Sequence, residues 1–139
     1  MIVLDTNVIS ELMRAEPHPT VVTWLGRHPN TSLFTTTLTQ AEIFYGLRLL
    51  ADGKRRTALM EAADYLFETD MAGRVLPFDT DSAHFFALIA AERRAAGRPV
   101  SQIDCQIAAI ARSRGAALAT RNVRDFEGCG ITVHDPWEE

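Results

Sequence analysis

Lysine is almost missing from this chain, and cysteine and histidine are sparse. Of the fourteen basic residues in 139, all but Lys54 are arginine. Even these are outnumbered: eighteen Asp and Glu leave a formal net charge of −4. A protein that gripped nucleic acid by bulk electrostatics would carry the opposite balance. Arginine suits bidentate phosphate contacts, but an arginine- and alanine-rich composition also follows from GC-rich coding. Two cysteines, Cys105 in an apolar helical stretch and Cys129 in a Gly-Cys-Gly turn, make neither a disulfide framework nor a zinc site. His18, His28, His84 and His134 are scattered, and none stands beside a nucleophile at a strand end. No G-x-S-x-G frames a serine, and there is no P-loop and no G-x-G-x-x-G. No apolar run approaches the ~18 residues that span a bilayer. MIVLD lacks the basic n-region, the apolar h-region and the cleavage site of a secretory signal. The expectation is a cytoplasmic protein with no membrane role.

What is present is an apolar fraction of 47% in a length that suits one domain over 1–139. Short apolar runs alternate with helical patterns. Residues 1–5, 32–37 (SLFTTT), 75–78 (VLPF), 116–120 (AALAT) and 131–135 (ITVHD) read as five strands. Between them, helices are predicted over 7–14, 19–27, two segments from Thr39 to about 70, 80–96 and 102–114. Pro19 sits in a first turn, while Gly97 and Gly115 stop the last two helices. Alternating strands and helices predict an α/β fold with a mostly parallel sheet covered on both faces. Ligands in such sheets bind beyond the carboxyl ends of the strands.

Asp5 stands at such an end, directly after Ile2-Val3-Leu4. Three more acids share that topological address. Glu42 is expected to open a helix (T-Q-A-E), Asp104 to open another (S-Q-I-D), and Asp125 follows AALAT in T-R-N-V-R-D-F. Each has an ordinary reading. Thr39-x-x-Glu42 and Ser101-x-x-Asp104 both fit capping boxes. Backbone amides could satisfy Asp5, and Asp125 fits a turn. Asp79 and Asp81 are most simply helix-start residues. Gathered at one sheet edge, however, carboxylates ~4 Å apart repel by about 1–4 kcal/mol per pair. A divalent cation relieves this, and hard oxygen donors without His or Cys select Mg²⁺ or Mn²⁺ over Zn²⁺.

The segments D-T-N, T-x-A-E, S-Q-I-D-C-Q-I-A-A-I-A and T-R-N-V-R-D-F resemble the PIN-domain family across nearly the whole chain. The likeness is strongest to single-domain ribonuclease toxins of VapC type, from type II toxin–antitoxin pairs. That resemblance implies a three-layer α/β/α sandwich around a mostly parallel five-stranded sheet. It also implies Mg²⁺- or Mn²⁺-dependent hydrolysis of RNA phosphodiesters. Asp5, Glu42, Asp104 and Asp125 match the family's acidic quartet, as metal-holding and catalytic residues. Thr6 and Asn7 match the flanks of the first acid, and Thr120 the hydroxyl residue near the metal. Asn122 matches the Asn of N-x-x-D-F, as a brace. Arg121 is expected to touch a substrate phosphate. Partners implied are an RNA substrate, a cognate antitoxin with a basic tail, and a second copy of the chain in a homodimer. The tail is expected to lie between the 7–14 helix and Phe44–Leu50.

Two other readings compete. A phosphatase using Asp5 as nucleophile would want an acid two residues on, where Asn7 stands. A non-catalytic interaction module would use the acids only as caps and would show no metal-dependent cleavage.

Overall fold

The computed structural model describes Met1–Glu139. Five short strands form one sheet: β1 (Ile2–Leu4), β2 (Leu33–Thr36), β3 (Val75–Leu76), β4 (Ala117–Ala119) and β5 (Val133–His134). Their order is β3-β2-β1-β4-β5, and every pairing is parallel. The covering helices are α1 (Thr6–Leu12), α2 (Pro19–Gly26), α3 (Thr37–Arg48), α4 (Lys54–Tyr65), α5 (Thr80–Ala95) and α6 (Gln102–Ser113). A π-helical turn, Leu66–Asp70, extends α4, and a 3-10 turn, Val123–Phe126, follows β4. No helix is long and apolar enough to cross a membrane.

The central strand shows why three layers form. Ile2 and Leu4 point to one face and pack with Val8, Trp24, Ile43 and Phe67 from the α1–α4 side. Val3, between them, points the other way and packs with Ile89 and Leu118 and with Ile107 and Ile110 of α6. A strand buried on both faces needs apolar residues at every position, which is what Ile2-Val3-Leu4 supplies. The expected α/β/α architecture is therefore the one found.

Element ends differ in instructive ways. The helix expected at 7–14 begins at Thr6, because Asp5 already serves as its N-cap and accepts from the Thr6 N–H at 2.8 Å. The helix expected from Thr39 begins at Thr37. Its cap is Thr36, whose Oγ1 accepts the Thr39 N–H at 3.1 Å. Thr39-x-x-Glu42 is consequently not a capping box, and Glu42 lies beyond the first turn of α3. Ser101 does cap α6, accepting from the Asp104 N–H at 3.4 Å. Asp79 caps α5, accepting from the Ser82 N–H at 2.9 Å. Gly97 and Gly115 follow α5 and α6 with φ of 73° and 64°, a conformation that costs glycine little.

Chain order places the crevice. From β1 the chain builds outward through β2 and β3, then crosses back to lay β4 and β5 on the other side of β1. The order reverses between β1 and β4. Their carboxyl ends, at Asp5 and Thr120, flank the position where such sheets open a binding cleft.

Candidate functional site

The crevice holds a cavity of about 540 Å³ whose lining includes Asp5, Glu42 and Asp104. Asp5 comes from the end of β1, Glu42 from α3 and Asp104 from the first turn of α6. Three elements distant in sequence thus present carboxylates to one space. Thr6, Asn7, Arg121 and Asn122 line it as well.

Asp5 is the most confined, with the residue only 4% exposed. Its Oδ2 accepts from Thr120 Oγ1 at 2.7 Å, and Asn7 Nδ2 lies 3.5 Å away. Burial is the main force on its carboxyl and pushes the pKa up to about 6. The Thr120 hydroxyl and the Thr6 amide pull it back, while the charges of Asp104 and Glu42 push it further up. Capping alone therefore does not account for Asp5. A backbone amide, a hydroxyl and a long contact from the Asn7 amide leave the carboxylate under-compensated, with two more acids facing it.

Thr120 is buried and is the hub on the β4 side. Besides donating to Asp5, its Oγ1 accepts from Asn7 Nδ2 at 3.2 Å and from the Asn122 N–H at 3.0 Å. Asn7 Oδ1 in turn accepts the Arg121 N–H at 3.2 Å. Asn122, expected as a brace, reaches Thr120 through its backbone N–H; its side-chain amide makes no cap bond to the following turn.

Glu42 is oriented from the other side. Thr6 Oγ1 donates to Glu42 Oε1 at 2.6 Å and lies 3.1 Å from Thr39 Oγ1. Since the one Thr6 proton points at Glu42, Thr39 donates to Thr6. Thr36 Oγ1 lies 3.5 Å behind Thr39. A line of hydroxyls from the end of β2 therefore runs to one carboxylate oxygen.

Asp104 is half-buried. Burial raises its carboxyl above the usual carboxylate range, Ser101 opposes this, and Asp125 and Glu42 add to it. Asp125 is exposed on the 3-10 turn and does not line the cavity. Its relation to the others is electrostatic, through Asp104. The quartet expected from sequence is thus a trio with a fourth acid beside it.

The turn carrying Asp125 is held by a residue that sequence reading passed over. Arg93, on α5 and 6% exposed, donates through Nη1 to the carbonyls of Asp125 and Glu127, both at 2.9 Å. Its Nε donates to the Arg98 carbonyl at 2.6 Å, in the segment leading into α6. One guanidinium therefore ties together the two segments that bear Asp125 and Asp104. Arg93→Met should leave these carbonyls unpaired and lower stability by about 2 kcal/mol. A urea midpoint equal to that of wild type would contradict this role.

Glu11 was also passed over. It lines the cavity and is buried, but its carboxylate is committed: it accepts the His18 N–H at 3.0 Å and pairs with Arg14 at 3.2 Å. The His18 amide, first, holds its pKa below the usual range. Its signal was a single acid on the apolar side of α1, which no spacing rule singles out. The cysteines carry no such chemistry. Both are free and buried, and burial pushes the Cys105 thiol up to about 11.

The donors fit a hard divalent cation. Every candidate ligand is a carboxylate, hydroxyl or amide oxygen, no His or Cys lines the space, and Asp5 is raised by burial and by neighbouring acids. No three acidic, His or Cys side chains converge as a ready-made cage. Mg²⁺, which keeps several waters and takes one or two carboxylates, requires none.

Comparison with known proteins places the chain. Residues 2–128 match the family model for the PIN domain. The chain is 40% identical, over 99% of both proteins, to "VapC ribonuclease Y4jK" of Sinorhizobium fredii. Among solved structures, FitAcB from Neisseria gonorrhoeae superposes with a TM-score of 0.93 at 35% identity, covering 100% of both chains. DNA-bound VapBC from Salmonella typhimurium gives 0.80 at 29% identity, covering 97% of both. With fold, crevice and family model in agreement, the chain belongs to the PIN-domain family.

Proposed function

We propose that this protein is a metal-dependent endoribonuclease that hydrolyses RNA phosphodiester bonds in the cytoplasm, as the toxin of a type II toxin–antitoxin pair. The observation that carries the reading is the buried Asp5 carboxylate, raised to about 6 and faced by Asp104 and Glu42 at the point where the strand order reverses. That arrangement is costly unless a cation completes it. The names of the relatives, a VapC ribonuclease and the FitAcB and VapBC complexes, support the reaction class and the pairing.

Asp5 and Asp104 would hold Mg²⁺ or Mn²⁺. Bound there, the cation would offer Lewis acidity to a phosphodiester and activate water. Glu42, its Oε1 fixed by Thr6, is placed to accept a proton or to hold water with its other oxygen. Asp125 would organise water or a second cation from the far side of Asp104. Asn7 and Thr120 keep Asp5 in one rotamer. Arg121 is the phosphate contact, since no carboxylate claims its guanidinium. The phosphatase reading finds no support: Asn7 replaces the required acid, and its amide is committed to Thr120.

Thr6→Val isolates the orienting role. It keeps the branched shape but removes the donor to Glu42, and should lower cleavage about tenfold with an unchanged fold, as lost outer-shell partners do. Cleavage at the wild-type rate would show that Glu42 needs no such guide.

The antitoxin would enter from the adjoining groove. A space of about 760 Å³ between α1 and α3 is lined by Met13, Ile43, Gly46 and Leu47, and shares Thr6 and Glu42 with the acidic cavity. An apolar segment ending in a guanidinium would fill one space and pair with acids in the other. The free toxin is expected to pair as a homodimer.

Expression tests the reading. Induced wild type should arrest growth and deplete a discrete set of structured RNAs, and the protein encoded immediately upstream should restore growth. Asp5→Ala should be harmless yet still bind that inhibitor. Unimpaired growth with abundant folded wild type would contradict the proposal.

A further inference from the structure

The acidic cavity has one hydrophobic residue in its wall, Trp137, and it comes from the last turn of the chain. The tail is built to hold this ring. The Trp137 backbone N–H donates to Asp135 Oδ1 at 2.9 Å, and the backbone N–H groups of Glu138 and Glu139 both donate to the Asp135 carbonyl at 3.1 Å. Arg27 Nη1 donates to the Glu139 carbonyl at 3.2 Å, and His134 pairs with the Glu139 carboxylate. The indole is half-buried against the α1–α4 core, with part of its surface turned to the cavity.

Above it lies the Arg121 guanidinium, 5.0 Å from the ring centroid. This is an odd resting place. Arg121 shares its cavity with Asp5, Glu42 and Asp104, yet makes no ion pair with any acid. Arg14, the other cavity arginine, does pair, with Glu11. Arg121 is nonetheless tethered to the site, because its N–H bonds to Asn7 Oδ1. A planar cation therefore covers an aromatic face while remaining free of any carboxylate.

We propose that Trp137 is a stacking platform for an unpaired RNA base next to the scissile phosphate, and that Arg121 keeps its place until RNA arrives. This rests on the ribonuclease reading and names the subsite that reading lacks. A surface cation–π contact is weaker than a base–indole stack, so an incoming base displaces the guanidinium. Released, Arg121 turns to the adjacent phosphate, for which its fork is suited. A stack of this kind selects an unpaired, splayed nucleotide rather than a duplex.

The test uses a single RNA that wild type cleaves, with KM and kcat measured in Mg²⁺. Trp137→Leu, which keeps apolar contact but no ring, should raise KM at least ~10-fold, with a smaller loss in kcat. Trp137→Phe should recover most of the affinity. Removing the base beside the scissile bond should weaken wild type by a similar factor and have little further effect in Trp137→Leu. Irradiated wild type should cross-link to 5-iodouridine at that position through Trp137, a readout independent of how well the variants fold. An unchanged KM in Trp137→Leu, equal losses from the abasic RNA in both proteins, or a cross-link elsewhere overturns the platform and leaves the ribonuclease reading standing. Wild type that cleaves no RNA overturns both.

Discussion

Asp5→Ala is expected to abolish RNA cleavage, with a loss of at least ~100-fold, or about 2.7 kcal/mol of transition-state stabilisation. Asp104→Ala and Glu42→Ala should lose comparably. Under the proposed reading these carboxylates act as a unit around bound metal, so removing one part should cost nearly as much as removing several. Asp125→Ala should lose less, because its exposed carboxylate lies outside the cavity wall and acts on Asp104 at a distance. Asp79 is the control. Its carboxylate accepts from the Ser82 N–H and hydroxyl at the start of α5. Asp79→Ala should therefore lower stability without touching kcat. Single-turnover rates on one folded RNA, with melting curves alongside, check the series. Equal losses at Asp79 and Asp5 would mean that the variants report folding and not chemistry.

The second large effect is on stability in the absence of metal. Burial pushes the Asp5 carboxyl up to about 6 in the folded protein, against an ordinary value of 3.8. The folded state therefore binds the proton more tightly than the unfolded chain. Stability from this group is fully present below pH 3.8 and is lost as pH rises through about 6. The shift is equivalent to about 3 kcal/mol at neutral pH. Asp104, also raised, adds in the same direction, whereas Glu11 and Asp79, both lowered, oppose it as pH falls. The clean quantity is the difference between wild type and Asp5→Asn. Asn carries no charge, but its NH₂ would face a Thr120 hydroxyl that already accepts from Asn7 and Asn122. It should start at a disadvantage near pH 4 and gain on wild type by up to about 3 kcal/mol between pH 4 and 7 in EDTA. Adding Mg²⁺ should erase the gain, since a cation held there would stabilise only the ionised carboxylate. A difference that does not vary with pH would place the ordinary Asp pKa at position 5.

The fold was readable because its signals are local and redundant. Ile2-Val3-Leu4 is apolar at every position, which only a doubly covered strand tolerates, and Gly97 and Gly115 end helices that their own φ angles require. The start of α3 was misread for a reason within threonine itself. Thr35, Thr36 and Thr37 suit a strand, and Thr36 also suits an N-cap. Its pairing with Leu76 across the sheet decides, and that contact is not local. The same distance-dependence governs the crevice. Asp5, Glu42 and Asp104 could be placed at one edge by counting strands and helices. Asp125 follows AALAT by the same count, but the 3-10 turn that carries it clear of the cavity has no sequence signature comparable to a cap. Arg93 and Trp137 were invisible for a plainer reason. What they do depends on carbonyls and a guanidinium supplied by other segments.

The acidic crevice is proposed to work on RNA through a divalent cation. The direct measurement is cleavage of one end-labelled folded RNA by purified wild type, first in excess EDTA and then with Mg²⁺ or Mn²⁺ restored. Cleavage should be absent in EDTA, discrete products should appear on adding either metal, and Asp5→Ala should give none under any condition. Full cleavage in EDTA, or the same products from Asp5→Ala, would contradict it.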